Sequence, residues 1–233
     1  EEFHRVLSKA GMKPIVGCEA YVSPTNRFDH TASVPHIKGH HLVLLCENET
    51  GYKNLCKLIS EAWRNGMYYK PRMDKEILKE YHEGLIALSA CIGGEIPSLF
   101  LDGNDKAAEK SLDEHLEIFG PDNFFLEIMD HGMEEERFVN PQLVELAREC
   151  GAGLVATNDV HYTYASDAES HDILLCLQTG KKLSDEDRMR YDGGQYYLKS
   201  IEEMEKMVMA RMAPMMAFTS LAIAYGIAFI PPL

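Results

Sequence analysis

Residues 40–60 read HHLVLLCENETGYKNLCKLIS. The run 41–46 is continuously apolar and of strand length, and from Lys53 onward Leu55, Leu58, Ile59, Ala62 and Trp63 recur at helical spacing. Between them Asn48, Glu49, Thr50 and Gly51 break the pattern, so the stretch predicts a buried strand followed by an amphipathic helix. The alternation recurs on either side. GLIALSAC (84–91) leads into a glycine turn and a helix, FFLEIMD (124–130) precedes a helix carrying Phe138, Leu143, Val144 and Leu146, and GLVATN (153–158) ends at Asp159. Upstream, KPIVGCEAYV (13–22) has a proline break and then a buried-strand pattern ending near Glu19, followed by a polar loop over 23–39. Apolar strands alternating with amphipathic helices predict an α/β fold with mostly parallel strands.

The bulk composition limits the partners. A chain of 233 residues, 45% hydrophobic, can bury one sizeable core. Lys and Arg number 23 against 37 Asp and Glu, a formal charge of -14, so the surface as a whole repels nucleic acid and any such contact must be local. The two positive neighbourhoods, 53–72 and 181–190, are mixed with acids and read as solvated helix faces. Six cysteines lie scattered without close C-x-x-C spacing and no secretory signal precedes them, which points to reduced thiols in a cytoplasm. Residues 1–10 already read as helix without an initiator Met, so the chain is expected to begin inside a domain. The uncharged stretch 212–233 has the length of a membrane span, but Pro214 and Gly226 interrupt it and no basic flank orients it. A buried terminal helix is expected there, and no membrane partner.

The chemistry is expected at the strand ends. Glu19, His41, Cys91, Asp159 and His161 each lie at or beside one, and they are donors of the kind zinc or manganese takes. Residues at the carboxyl ends of different barrel strands converge on one mouth. Asp159 and His161, two apart in TNDVHY, point to the same side of an extended segment; as an isolated pair they would read as a helix cap and an incidental surface histidine. Of the adjoining His40 and His41, alternation lets one face the pocket; His41 is chosen and His40 read as its neighbour. Alone, His41 would be a satisfied core residue and Cys91 a small buried hydrophobe, although Gly93 and Gly94 permit a turn that presents the sulfur. Glu19 in an apolar strand calls for a cation or a solvent-filled mouth. Asp130 and His131 form another strand-end pair that either orients ligands or lies on loop surface, and Glu127 is placed behind the ligands. His4, His30, His36, His82, His115 and His171 have no nameable partner. No phosphate loop, nucleophile elbow or H-E-x-x-H helix occurs in the sequence.

In unbroken order, KPIVGCEAYV, HHLVLLCENETGYKNLCKLIS, GLIALSACIGGEIP, FFLEIMDHG, GLVATNDVHY and GGQYYLKSIEEM resemble the PHP (polymerase and histidinol phosphatase) domain of the bacterial DNA polymerase III alpha family. The resemblance covers 1–207 as a partial PHP metal-binding domain and leaves 208–233 as a divergent apolar segment. It implies a distorted (β/α)7 barrel, here incomplete because the first strands, with a His-x-His and a Thr-Asp-His motif, would lie before Glu1. It also implies up to three zinc or manganese ions, with Glu19, His41, Cys91, Asp159 and His161 as metal ligands and Asp159 and His161 as catalytic. His40, Glu127, Asp130 and His131 would stand behind them or along the substrate path. At the far end Pro214, Ile223 and Ala224 keep the family's register while its polar positions are replaced by Met, Phe, Thr and Ser.

The activity so implied is hydrolysis of phosphodiesters from a 3′ end, as exonuclease or proofreader, within a cytoplasmic polymerase. DNA and the other polymerase III holoenzyme subunits would be its partners. The isolated piece is expected to bind metal weakly and to be inactive. One rival is a non-catalytic scaffold for the polymerase, which the retained ligands argue against. Another is a free-standing PHP phosphatase on a small phosphoester, which GYKNLCKLIS and GGQYYLKSIEEM argue against.

Overall fold

The computed structural model describes residues 2–31, 33–36, 38–211 and 221–223. Helix α1 (Glu2–Lys9) leads to strand β1 (Gly17–Val22) and, beyond a loop, to β2 (His40–Cys46). Helix α2 (Glu49–Asn65) follows, then a short hairpin of β3 (Met67–Tyr68) and β4 (Lys70–Met73), helix α3 (Lys75–Glu80) and β5 (Leu85–Leu88). Helices α4 (Glu95–Leu101) and α5 (Asp105–Phe119) precede β6 (Phe124–Ile128), and α6 (Glu134–Cys150) joins it to β7 (Gly153–Ala156). Helices α7 (Ala168–Thr179) and α8 (Ile201–Arg211) and strand β8 (Leu221–Ile223) complete the described elements.

The strands form one sheet in the order β3-β4-β1-β2-β5-β6-β7-β8. Its terminal strands β3 and β8 are not paired with each other, so among the described residues the α/β barrel is open. Strands β5 to β8 are parallel, as expected, but β2 runs antiparallel to both of its neighbours, β1 and β5. The reason is local. The 23–39 link between β1 and β2 is a loop without a crossover helix, and such a link can join antiparallel neighbours. Because β2 is reversed, its first residues lie at the rim where the parallel strands end. Strand β1 also continues past Glu19 to Val22, so Glu19 sits mid-strand rather than at its end.

Helix α2 starts at Glu49, earlier than hydrophobic spacing indicated, because the Asn48 side chain accepts from the Gly51 N–H at 3.1 Å and caps it. Gly51 is required there. A Cβ on it would lie 1.8 Å from the Gly84 carbonyl oxygen at the start of β5, so the helix can seat against the sheet only without a side chain.

The two faces of the sheet differ. Leu42 and Leu44 of β2, Ala87 of β5, Leu126 and Ile128 of β6, and Leu154 of β7 join Leu55, Leu58, Leu112, Leu143 and Val144 of the helices in the main core. The alternate residues Val43, Leu45, Leu88 and Val155 form a much smaller cluster on the other face, with Phe125 packed against it. The second face has room for polar side chains. The positive neighbourhoods are not uniformly solvated helix faces: Arg72 of β4 is fully buried, with Nη2 donating to the carbonyls of Arg27 and Asp29, and Arg188 is held by Asp172.

Most of 212–233 lies outside the described residues, and Leu221–Ile223 within it pairs with β7. Among the described residues no helix is long and apolar enough to cross a membrane.

Leu126→Ala, at a position 0% exposed in the main core, is expected to lose roughly 2–5 kcal/mol of unfolding free energy. Leu177→Ala, on a helix face 74% exposed, should stay within about 0.5 kcal/mol of the parent. Urea unfolding followed by far-ultraviolet circular dichroism measures both.

Candidate functional site

Glu19, Tyr21 and His41 alternate onto the same face as Val43 and Leu45, the face opposite the main core. His41 Nδ1 lies 3.3 Å from Glu19 Oε1 and 3.5 Å from Cys91 Sγ. The sulfur is presented by the turn after β5. Ala90 takes a left-handed φ of 64°, and the Gly94 N–H donates to the Cys91 carbonyl at 2.8 Å. A Cβ on Gly94 would meet the Ser89 carbonyl oxygen at 2.0 Å, and one on Gly93 would press on the His41 ring at 3.2 Å. The glycine pair therefore brings the turn against His41, whose N–H donates to the Gly93 carbonyl at 2.9 Å.

Asp159 and His161 follow β7, and the segment is not extended as expected. Asp159 has a φ of 38°, and His161 Nδ1 donates to the Asp159 carbonyl at 2.6 Å and stands 3.9 Å from Oδ1. A turn, not strand alternation, makes them neighbours. The charge of Asp159 nevertheless acts on Glu19, His41 and Cys91, so this loop lies in their neighbourhood. Burial first, and then the Asp159 carboxylate, pushes Glu19 up to about 7. Burial and Asp159 likewise push the Cys91 thiol up, while burial holds the His41 imidazole down.

Glu127, on the same face of β6, is buried behind them. One carboxyl oxygen accepts from Thr157 Oγ1 at 2.5 Å, and the other, Oε2, meets no donor within hydrogen-bond distance among the described residues. Burial pushes Glu127 up to about 8, offset in part by Thr157 and reinforced by Asp159. The buried Glu127 beside the half-buried Glu19 and Asp159 makes an acid-rich cluster, and this suits a divalent cation. The carboxylates, imidazoles and thiol also fit zinc or manganese in donor type. Yet no three His, Cys, Asp or Glu side chains among the described residues are already spaced to hold a metal ion.

His40 points away from His41 and is buried beside Glu95 and His36, with burial holding it down at about 4. His131 is buried too, and both of its ring nitrogens face acceptors: Glu136 Oε1 at 2.5 Å and the Asn158 carbonyl at 3.0 Å. It grips the residue before Asp159 and is not loop surface. Asp130 accepts from the Gly132 N–H in the turn.

Several contributors escaped the sequence reading. Tyr21 sets its ring edge on His41 at 5.1 Å, and Tyr191 and Tyr196 flank the His161 ring at 4.4 and 5.6 Å. The Tyr191 hydroxyl is pushed up to about 12 by burial and then by Asp159, Cys91 and Glu19. His171 does have partners, lying 5.6 Å from His161 and 5.2 Å from Tyr191. Lys199 Nζ donates to Asn158 Oδ1 at 2.7 Å, and the His161 N–H to the Tyr196 carbonyl at 2.8 Å. For Tyr196 and Lys199 the prior signal was the GGQYYLKS stretch, whose aromatic residues have no periodicity that assigns them a role.

The family model described as PHP domain matches residues 1–131. A protein of Treponema pallidum (strain Nichols) named DNA polymerase III subunit alpha is 46% identical over 205 residues, covering 88% of this chain and 18% of the relative. Its namesake in Thermus aquaticus is 46% identical over 208 residues, 89% of this chain and 17% of the relative, and that in Deinococcus radiodurans 45% over 207 residues, 88% and 15%. The chain thus spans less than a fifth of the length of these relatives. A family match over more than half the chain, an α/β sheet of the expected kind and polymerase alpha subunits as relatives lead to one conclusion: this chain belongs to the PHP domain family.

Proposed function

We propose that this chain serves as the metal-binding PHP domain of a DNA polymerase III alpha subunit, hydrolysing phosphodiesters at a 3′ end with zinc or manganese. The observation that carries this reading is the cluster of Glu19, His41 and Cys91 in the field of Asp159, where acids outnumber the cationic groups and burial pushes Glu19 up. Glu19, His41, Cys91, Asp159 and His161 would hold the ions. When bound, such ions supply Lewis acidity, making water a competent nucleophile near neutral pH and offsetting charge on the departing oxygen. Asp159 and His161, on the loop rather than on a strand, stand where they can meet the scissile group. Glu127 is a buried carboxyl able to hold a proton beside them, and His131 and Lys199 keep the Asn158 turn in place. Tyr191 and Tyr196 pack against the His161 ring and help orient it.

A second reading, a scaffold that has no metal chemistry, is favoured by one finding: among the described residues no three donors stand ready-spaced. Calorimetric titration of manganese into chelator-treated chain, with elemental analysis, separates the two. The metal reading expects saturable binding, weakened in Asp159→Ala and His161→Ala by at least the roughly 10–100-fold that loss of a ligand's orienting partner costs. Absence of binding at pH 8 would favour the scaffold. In a full-length alpha subunit, Asp159→Ala is expected to abolish manganese-dependent removal of 3′ nucleotides, measured on an end-labelled primer.

Protonation gives an independent check. Glu19 rises from 4.5 in the unfolded chain to about 7 when folded, so the stability it contributes is full below the lower value and is lost as pH climbs through the upper one. In chelator, the melting-temperature advantage of Glu19→Gln over the parent should therefore grow between about pH 5 and about pH 8. A constant difference across that range would refute the buried, raised carboxyl. Metal binding by the parent should strengthen over the same interval, because the ion competes with that proton.

A further inference from the structure

Strands β3 and β4 reverse on one residue. Tyr68 pairs with Lys70, which leaves Tyr69 alone at the tip with a φ of 60°, a left-handed backbone that favours glycine and strains a bulky side chain. The ring is 62% exposed and outside both hydrophobic clusters, so it adds nothing to the core. Its neighbour Tyr68 is stacked on His30 at 4.9 Å, capped by the Arg72 guanidinium at 5.2 Å, and meets the Tyr69 ring edge-to-face at 4.6 Å, which leaves most of the Tyr69 ring open to solvent. Lys38 Nζ stands 5.6 Å from the Tyr69 ring centre. Lys70 Nζ stands 5.2 Å from the ring of Tyr21, whose edge meets His41. The Lys70 charge is felt by both Glu19 and His41. An exposed, strained aromatic ring and two ammonium groups thus lead from the hairpin tip to the pocket. They run against a chain charge of -14.

We propose that the β3–β4 hairpin is a docking platform that feeds single-stranded DNA to this pocket, with Tyr69 stacking on a base and Lys38 and Lys70 neutralising the flanking phosphates. The proposal rests on the phosphodiester reading above for its choice of ligand. Every base presents a π face, so such a platform takes a strand without sequence preference, and the lysines draw it in by releasing counterions.

The test is fluorescence anisotropy of a 5′-labelled dT12 oligonucleotide with the full chain at low salt in chelator, so that no metal contributes. Expected is measurable binding that Tyr69→Gly weakens by on the order of tenfold and Tyr69→Phe preserves. Because glycine relieves the left-handed strain, Tyr69→Gly should melt no lower than the parent, which separates lost stacking from lost folding. The double variant Lys38→Ala/Lys70→Ala should flatten the salt dependence by roughly 1.4 in the log–log slope. Asp159→Ala should bind dT12 at least as tightly as the parent while losing manganese, so a failed metal titration with intact hairpin effects would sink the metal reading and spare this one. Binding of dT12 by Tyr69→Gly within twofold of the parent, or no binding by the parent chain, overturns the platform.

Discussion

Acid side chains crowded onto the face of the sheet that the helices do not cover are the constraint on which the site depends. Glu19, Glu127 and Asp159 share that region with the Cys91 thiol, and each raises the proton affinity of the others or of the thiol. In water such charges would be screened; behind a sheet they are not, so protons or a cation must balance them. The small apolar cluster of Val43, Leu45, Leu88, Ala90 and Val155 packs on this face. The large cluster on the opposite face supplies the stability that allows the crowding.

The reversed strand makes the crowding possible. With β2 antiparallel to β1, Tyr21 pairs with His41, and Glu19 lies two residues along on the same face. The Gly93–Gly94 turn then closes on the His41 ring from β5, with Gly93 tight against the ring and Gly94 seated on the Ser89 carbonyl at a distance only glycine permits. On the far side, the turn that carries Asp159 is tied from three directions. His131 and Lys199 bind Asn158, and the Asn158 side chain in turn donates to the carbonyls of Gln195 and Tyr197. These tethers hold a non-glycine residue at positive φ, a conformation the chain would otherwise leave. Segment 191–199 is thus part of the site although it contributes none of the five candidate ligands.

Much of this was legible in the linear chain. The apolar runs at 41–46, 84–91, 124–130 and 153–158 each hold a strand, and the helices after them lie where hydrophobic spacing put them, because burial against a sheet imposes those periods. Motif order pointed to the family. The short β3–β4 hairpin escaped, since KPRM has no alternation and its Arg72 is buried by hydrogen bonds to carbonyls rather than by apolar contact. So did the aromatic group around His161, whose members come from α7 and from the irregular 191–197 stretch.

Residue types and their periods were sufficient to determine an α/β chain with glutamate, histidine, cysteine and aspartate beside its strands, because burial and donor chemistry are local properties of a side chain. Strand direction, the positive φ at Asp159 and the approach of Cys91 to His41 were decided only in the tertiary structure. They arise from register, turn geometry and long-range hydrogen bonds between segments as far apart as Asn158 and Lys199, and no local pattern encodes which distant backbone group will satisfy a buried donor.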